Sequence, residues 1–184
     1  MSHRQITIAI DAMGGEGSPL KCLKGAEIFS NNHQGVMLQI FGDQDLIKQT
    51  IKNNKLNLIN YKIVNCLDNV TDDDNASTIL RSRKNSSISR GLTFIKDNPN
   101  SGFISAGNTA ALMILSRLIL GMIEGVNRPA ICSTIPNEKS YSLMMDLGAN
   151  VHVSADNLLQ FALMGNAFFS IIDPKRNPKI GLIN

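Results

Sequence analysis

Two short segments carry residue types suited to binding an anion. The first is Ile10-Asp11-Ala12-Met13-Gly14-Gly15-Glu16. The second is Ile104-Ser105-Ala106-Gly107-Asn108-Thr109. Each follows an apolar run and precedes a stretch with helical spacing. Glycine lets backbone amides come close to a ligand, and a helix start offers unpaired N–H groups with a favourable dipole. Ser105, Asn108 and Thr109 add side-chain donors at the second corner, and Asp11 adds a carboxylate at the first. The pattern suits phosphate or a developing oxyanion. The same glycines would also serve a chain that simply has to turn sharply. Neither segment holds a G-x-x-x-x-G-K-[ST] or G-x-G-x-x-G pattern, so no nucleotide fingerprint is present.

A third cluster is basic. Arg81, Arg83 and Lys84 stand beside Ser86 and Ser87. Cations next to hydroxyls suit phosphate or an acidic partner protein; the alternative is a solvated helix face. Asp146 and Asn150 flank Leu147-Gly148-Ala149 after an apolar run, either at the same crevice or capping a local turn. His3, His33 and His152 show no metal-ligand spacing, and no metal site is expected. No G-x-S-x-G motif and no Ser-His-Asp or Cys-His spacing is found, so an enzyme built on these residues would work without a covalent intermediate.

The elements that must position these groups alternate. Ile6 to Ile10 reads as a buried strand. A helix is expected from Ser18 and Pro19 to about Asn31, with Ser as cap and Pro at the first position. Val36 to Phe41 and Leu58 to Val64 read as strands, and Asp43 to Asn53 between them as a helix. Asp68 to Ser77, with Asp72, Asp73 and Asp74 in a row, is a loop or a helix start. Ile88 to Lys96 is a helix, Gly102 to Ser105 a strand, and Ala110 to Ile123 an apolar helix suited to a core or a dimer contact. Arg128 to Ile135 is a strand, followed by the apolar run Ser140 to Asp146. Asp156 to Phe169 is a helix opened by an Asp cap, and Lys179 to Ile183 a last strand. Strand–helix alternation with few hairpin signals points to the α/β class, a layered, mostly parallel sheet with helices on both faces.

The chain has 184 residues, 43% hydrophobic and 18% charged, an ordinary globular composition that excludes a disordered chain or a coiled coil. No boundary is evident within residues 1–184, which read as a single α/β domain. Eighteen Lys and Arg against fifteen Asp and Glu give +3, too mild an excess for wrapping nucleic acid. Three scattered cysteines form no C-x-x-C pair, which argues against a disulfide framework or a structural zinc. The most apolar segment, Ala110 to Ile123, is interrupted by Ser116, Arg117 and Gly121 and, at about 14 residues, is too short to span a bilayer. A cytoplasmic protein is expected. Lys179 to Asn184 reads as a strand entering a turn. Ligand crevices lie beyond strand carboxyl ends, so the sequence is expected to be the N-terminal portion of a longer protein; the alternative is a C-terminal strand at the sheet edge.

Six motifs occur in order: IAIDAMGGEGSP (Ile8 to Pro19), ILRSRKNSS (Ile79 to Ser87), ISAGNTAALM (Ile104 to Met113), NRPAI (Asn127 to Ile131), MDLGANV (Met145 to Val151) and KIGLIN (Lys179 to Asn184). Together they resemble the bacterial phosphate acyltransferase of phospholipid synthesis, the acyl-carrier-protein:phosphate acyltransferase. The resemblance implies an α/β fold related to the isocitrate/isopropylmalate dehydrogenases and phosphotransacetylases. It implies transfer of a fatty acyl group from acyl carrier protein to inorganic phosphate, with no cofactor. A homodimer and a peripheral position at the inner face of the membrane go with it. On this reading Lys84, Asn108 and Asp146 are the catalytic candidates. Asp11, Gly14, Gly15, Ser86, Ser87, Ser105, Gly107, Thr109, Asn150 and Asn184 bind substrate, and Arg81 and Arg83 meet the acidic carrier protein. The sequence departs from the family pattern at Glu16 and Gly17, where Asp-His is usual, and at Ala110, where Gly is usual. The rival readings are a phosphotransacetylase-like enzyme using coenzyme A thioesters, and a non-catalytic fragment that only binds.

Overall fold

The computed structural model describes residues 5–68, 70, 74 and 76–183. The chain divides into two compact units, Met1–Gly121 and Met122–Asn184.

The first unit is built on four parallel strands: β1 (Thr7–Asp11), β2 (Met37–Gly42), β3 (Tyr61–Asn65) and β4 (Ser101–Ile104), in the order β3-β2-β1-β4. β1 is paired on both sides, with Ile10 opposite Ile40 on β2 and Ile104 on β4. Its continuous apolar sequence suits this inner place, since parallel strands are covered on both faces. Successive side chains point to opposite faces, and the core follows that period of two. Ile10, Leu38 and Ile40 pack against Leu23 and Ala26 of α1 (Leu20–Asn32) and Ile47 of α2 (Gln44–Asn53). Ala9 and Phe41 face the other way with Cys66, against Phe94 and Ile95 of α4 (Ser87–Asp97). Helices therefore cover both faces, as the alternation leads one to expect. The short α3 (Ala76–Ser82) and α5 (Thr109–Ile119) extend this side: Ile79, Ala111 and Leu115 enclose Ile88 and Leu92 of α4.

The second unit holds an antiparallel pair, β5 (Cys132–Pro136) and β6 (Tyr141–Met145), and the long helix α6 (Ala155–Ile172). The hairpin departs from the purely alternating reading. Its turn has no glycine; the Asn137 Oδ1 accepts the amides of Lys139 at 3.1 Å and Ser140 at 2.8 Å. A side-chain oxygen does there what a special backbone conformation does elsewhere.

Four local expectations are corrected. Pro19 occupies the cap position of α1 rather than its first turn, and the Ser18 hydroxyl donates to the Gly14 carbonyl instead of capping. Ser154, not Asp156, caps α6, in a reciprocal box with Asn157. α5 ends at Ile119, four residues before the expected Ile123. Lys179 to Ile183 is not a strand. An extended segment becomes a strand only beside a hydrogen-bonding neighbour, and among the described residues β5 and β6 pair only with each other. Of the acidic row, Asp72 and Asp73 lie outside the described residues, as do His3 and Asn184.

No helix among the described residues is long and apolar enough to cross a membrane. The three cysteines are free thiols. Burial, with the Asp11 charge added, pushes the Cys22 thiol up to about 11, and burial likewise holds Cys66 at about 11, so both stay protonated near neutral pH.

α4 lies close over β4. A Cβ at Gly91 would come within 2.1 Å of the Phe103 ring. Alanine normally improves a helix interior by up to about 1 kcal/mol over glycine. Gly91→Ala is expected to do the opposite, lowering stability by about 1–3 kcal/mol through overpacking, as read by urea denaturation. A variant as stable as the parent would contradict this packing.

Candidate functional site

The two glycine corners meet. β1 and β4 are adjacent and parallel, so their carboxyl ends lie on the same edge of the sheet. A Cβ at Gly14 would stand 2.6 Å from the Gly107 nitrogen and 2.8 Å from its Cα, and one at Gly15 would stand 2.7 Å from the Ala106 carbonyl oxygen. Only glycine permits this backbone-on-backbone contact. Gly15 also has a φ of +85°, in the region that favours glycine.

Asp11 ties the corners together. It is 2% exposed. Its Oδ1 accepts the amides of Met13 at 3.0 Å and Gly14 at 3.2 Å, and its Oδ2 accepts the Ser105 hydroxyl at 2.7 Å. The Ser105 Oγ in turn accepts the Gly107 amide at 3.1 Å. The amides of Gly14 and Gly107 are thus spent inside the protein. The open donors sit one step further on, at the start of α5. Asn108 caps that helix: its Oδ1 accepts the Ala111 amide at 2.8 Å, and its carbonyl accepts that of Leu112 at 3.0 Å. The first two amides, of Thr109 and Ala110, have no acceptor within the helix, and both residues are exposed. A cavity of about 530 Å³ adjoins this edge, with Gly14, Gly15 and Ala106 on its rim and Ile8, Phe29 and Ile104 among its walls.

The basic cluster runs from Arg81 in the last turn of α3, through the connection, to Ser87 at the start of α4. Lys84 and Arg81 are exposed. Arg83 is held by Asp74, with Nε 3.1 Å from Oδ2 and Nη2 3.0 Å from Oδ1. That hydrogen-bonded pairing raises the Arg83 pKa further. Ser86 and Ser87 are buried, at 0% and 3% exposure, so they offer no face to solvent. Ser86 caps α4 through the Ser89 amide, and Ser89 donates to the Arg83 carbonyl at 2.9 Å. These hydroxyls fix the turn that displays Lys84.

In the second unit Asp146 and Asn150 do come together. The Asp146 carboxylate accepts the amides of Ile131 at 2.8 Å and Asn150 at 2.8 Å, and the Asn150 side chain at 2.8 Å. Asn150 donates also to the Pro129 carbonyl at 2.9 Å. Burial pushes the Asp146 carboxyl up, but the bonds from Asn150, Ile131 and Ala149 outweigh it and hold the group below its ordinary value of 3.8. A carboxylate so filled orients a loop and is a poor proton acceptor at neutral pH. A separate cavity of about 490 Å³ in this unit is walled by Tyr141, Phe161, Phe169 and Arg176, and none of the nominated residues among those described lines it.

Nothing in the local sequence marks Asp74 as the partner of Arg83, or Asp68, whose Oδ2 accepts the Asn85 amide at 3.0 Å, as a functional residue. Both contacts depend on a loop closure that no local motif announces.

The family model described as fatty acid synthesis protein matches residues 6–184. The chain belongs to that family. A phosphate acyltransferase of Wolbachia pipientis from Culex pipiens is 40% identical over 186 residues, covering 99% of this chain and 54% of the relative. One from Polynucleobacter necessarius is 40% identical over 97% of this chain and 54% of its own length. One from Pelagibacter ubique is 36% identical over 97% and 53%. The chain spans about half the length of the curated relatives it matches.

Two outcomes follow from this geometry. Gly14→Ala should lower the melting temperature more than Gly107→Ala, because its Cβ meets Asp11 Oδ2 at 2.5 Å whereas the nearest atom to a Gly107 Cβ is 3.1 Å away. The reverse ranking would contradict the contact. Asp146, with its folded pKa depressed, contributes stability that is present above its ordinary value of 3.8 and is lost as pH falls through the folded value. Asp146→Asn should therefore flatten the acid limb of the stability–pH curve; an unchanged limb would show that these bonds do not favour the ionised form.

Proposed function

We propose that this chain contributes the phosphate-binding corner of an enzyme that transfers a fatty acyl group from acyl carrier protein to inorganic phosphate, giving acyl phosphate for phospholipid synthesis. The observation that carries this reading is the contact of the Gly14 and Gly107 corners beside the open amides of Thr109 and Ala110. Family membership and the name of the relatives support it.

The chemistry asks little of side chains as nucleophiles. Phosphate is already an anionic nucleophile near neutral pH. One of its oxygens attacks the thioester carbonyl carbon; a C–O bond forms, the C–S bond breaks, and the carrier leaves as a thiolate that takes a proton from solvent. Holding the two reactants in line is an orientation effect, worth up to about 7–11 kcal/mol in well-aligned cases. Amides at a helix start stabilise negative charge on phosphate or on the tetrahedral oxyanion. Asn108 serves by fixing that helix start. Lys84 supplies an exposed cation for phosphate or oxyanion, while Asp146 shapes its loop. The apolar cavity at the rim suits the hydrocarbon of an acyl donor.

Arg81 is the exposed cation for an acidic carrier; Arg83, paired with Asp74, steadies the same turn. The reading also includes a homodimer and a peripheral membrane position. The exposed aliphatic side chains of α6, Leu159 at 60%, Leu163 at 61% and Ile171 at 77%, support an apolar partner for that helix.

The test is donor preference. The chain is supplied with phosphate and either a long-chain acyl carrier protein or acetyl-coenzyme A, and acyl phosphate is trapped with hydroxylamine. Product from the carrier thioester is expected. A preference for acetyl-coenzyme A would favour the phosphotransacetylase-like reading, and saturable carrier binding without product would favour a binding-only role.

A further inference from the structure

We propose that Asp11 and Ser105 are positioning residues: they lock the two glycine corners into one anion cradle without touching the anion. This rests on the phosphate reading of those corners. The bonds form one uninterrupted chain. The first corner's amides, of Met13 and Gly14, end on Asp11 Oδ1; the other carboxylate oxygen takes the Ser105 hydroxyl; the Ser105 oxygen takes the Gly107 amide. The link spans 94 residues of sequence and is, at 2.7 Å, a charge-assisted O–H···O⁻ bond.

Its directionality matters. A serine hydroxyl has one proton, and here that proton is committed to Asp11, which leaves the oxygen lone pairs for the Gly107 amide. Losing the hydroxyl would strand a buried carboxylate oxygen and an amide at once. The Gly14 and Gly107 backbones would then no longer be held in register, and the start of α5, two residues beyond Gly107, would shift with them.

Charge gives a second argument. A carboxylate opposes an anion bound nearby. Asp11 is 2% exposed and its carboxylate already receives three donors, so it presents almost no surface to the cavity it helps to line. Its contribution to anion binding must be geometric.

The test uses the 184-residue chain, inorganic phosphate as the probe, calorimetric titration for affinity, and amide hydrogen exchange with thermal melting as controls. Ser105→Ala is expected to weaken phosphate about tenfold or more and to speed exchange at Gly107, while exchange in α1, α2 and the β1–β3 core is unchanged. Ser105→Thr, which keeps the hydroxyl, should restore affinity to within about threefold. Asp11→Asn combined with Ser105→Ala should cost less than the sum of the single losses, as expected of two groups in one bond. If Ser105→Ala melts below the assay temperature, Ser105→Cys, of similar shape with a weak donor, takes its place with the same expectations. Wild-type affinity in the Ala or Cys variant, or failure of Thr to rescue, overturns the proposal and leaves the phosphate reading standing. A parent chain that shows no saturable phosphate binding overturns both.

Discussion

The first unit depends on one close approach: two backbone turns, separated by most of the sequence of that unit, touch at Gly14 and Gly107 above a buried carboxylate. A side chain at Gly14 would hold them apart. Without Asp11, the amides of the first turn and the hydroxyl of the second would lose their shared acceptor. The contact fixes where β1 and β4 deliver their following residues, and so fixes the direction in which α5 starts. Whatever binds at that helix start is positioned by it.

The parallel sheet makes this possible. Strands running the same way end at the same edge, so their connecting loops gather there. β1 lies between β2 and β4, buried on both faces, and Asp11 is its last residue. A carboxylate at the end of an apolar strand is costly to bury unless donors surround it. Met13, Gly14 and Ser105 supply them, and the strand end becomes a rigid anchor. The same logic recurs in the second unit, where Asp146 ends β6's run and gathers the Ile131 and Asn150 amides. In both places an acidic residue organises backbone by gathering its amides.

Much of this was legible in the residues. The apolar runs at Ile8 to Ile10 and Met37 to Phe41, and the spacing of Leu46, Ile47 and Ile51, specify strands and a helix locally, and glycine marks the corners. What was not legible is long-range. Nothing near Asp11 announces Ser105, and nothing near Arg83 announces Asp74. The glycine amides looked like ligand donors because sequence cannot show that Asp11 and the Ser105 hydroxyl already take them. The β5–β6 hairpin was hidden because its turn uses the Asn137 side chain instead of glycine. Lys179 to Ile183 has the composition of a strand, but composition cannot supply the neighbour a strand needs.

The central claim is that this edge grips an inorganic oxyanion. The most direct measurement is a two-dimensional amide NMR titration of the chain with inorganic phosphate, with chloride at matched ionic strength as control. The account requires saturable shifts concentrated at Thr109 and Ala110, absent with chloride. Uniform small shifts, or shifts confined to the α3–α4 lysine and arginines, would mean that the glycine contact is architecture alone.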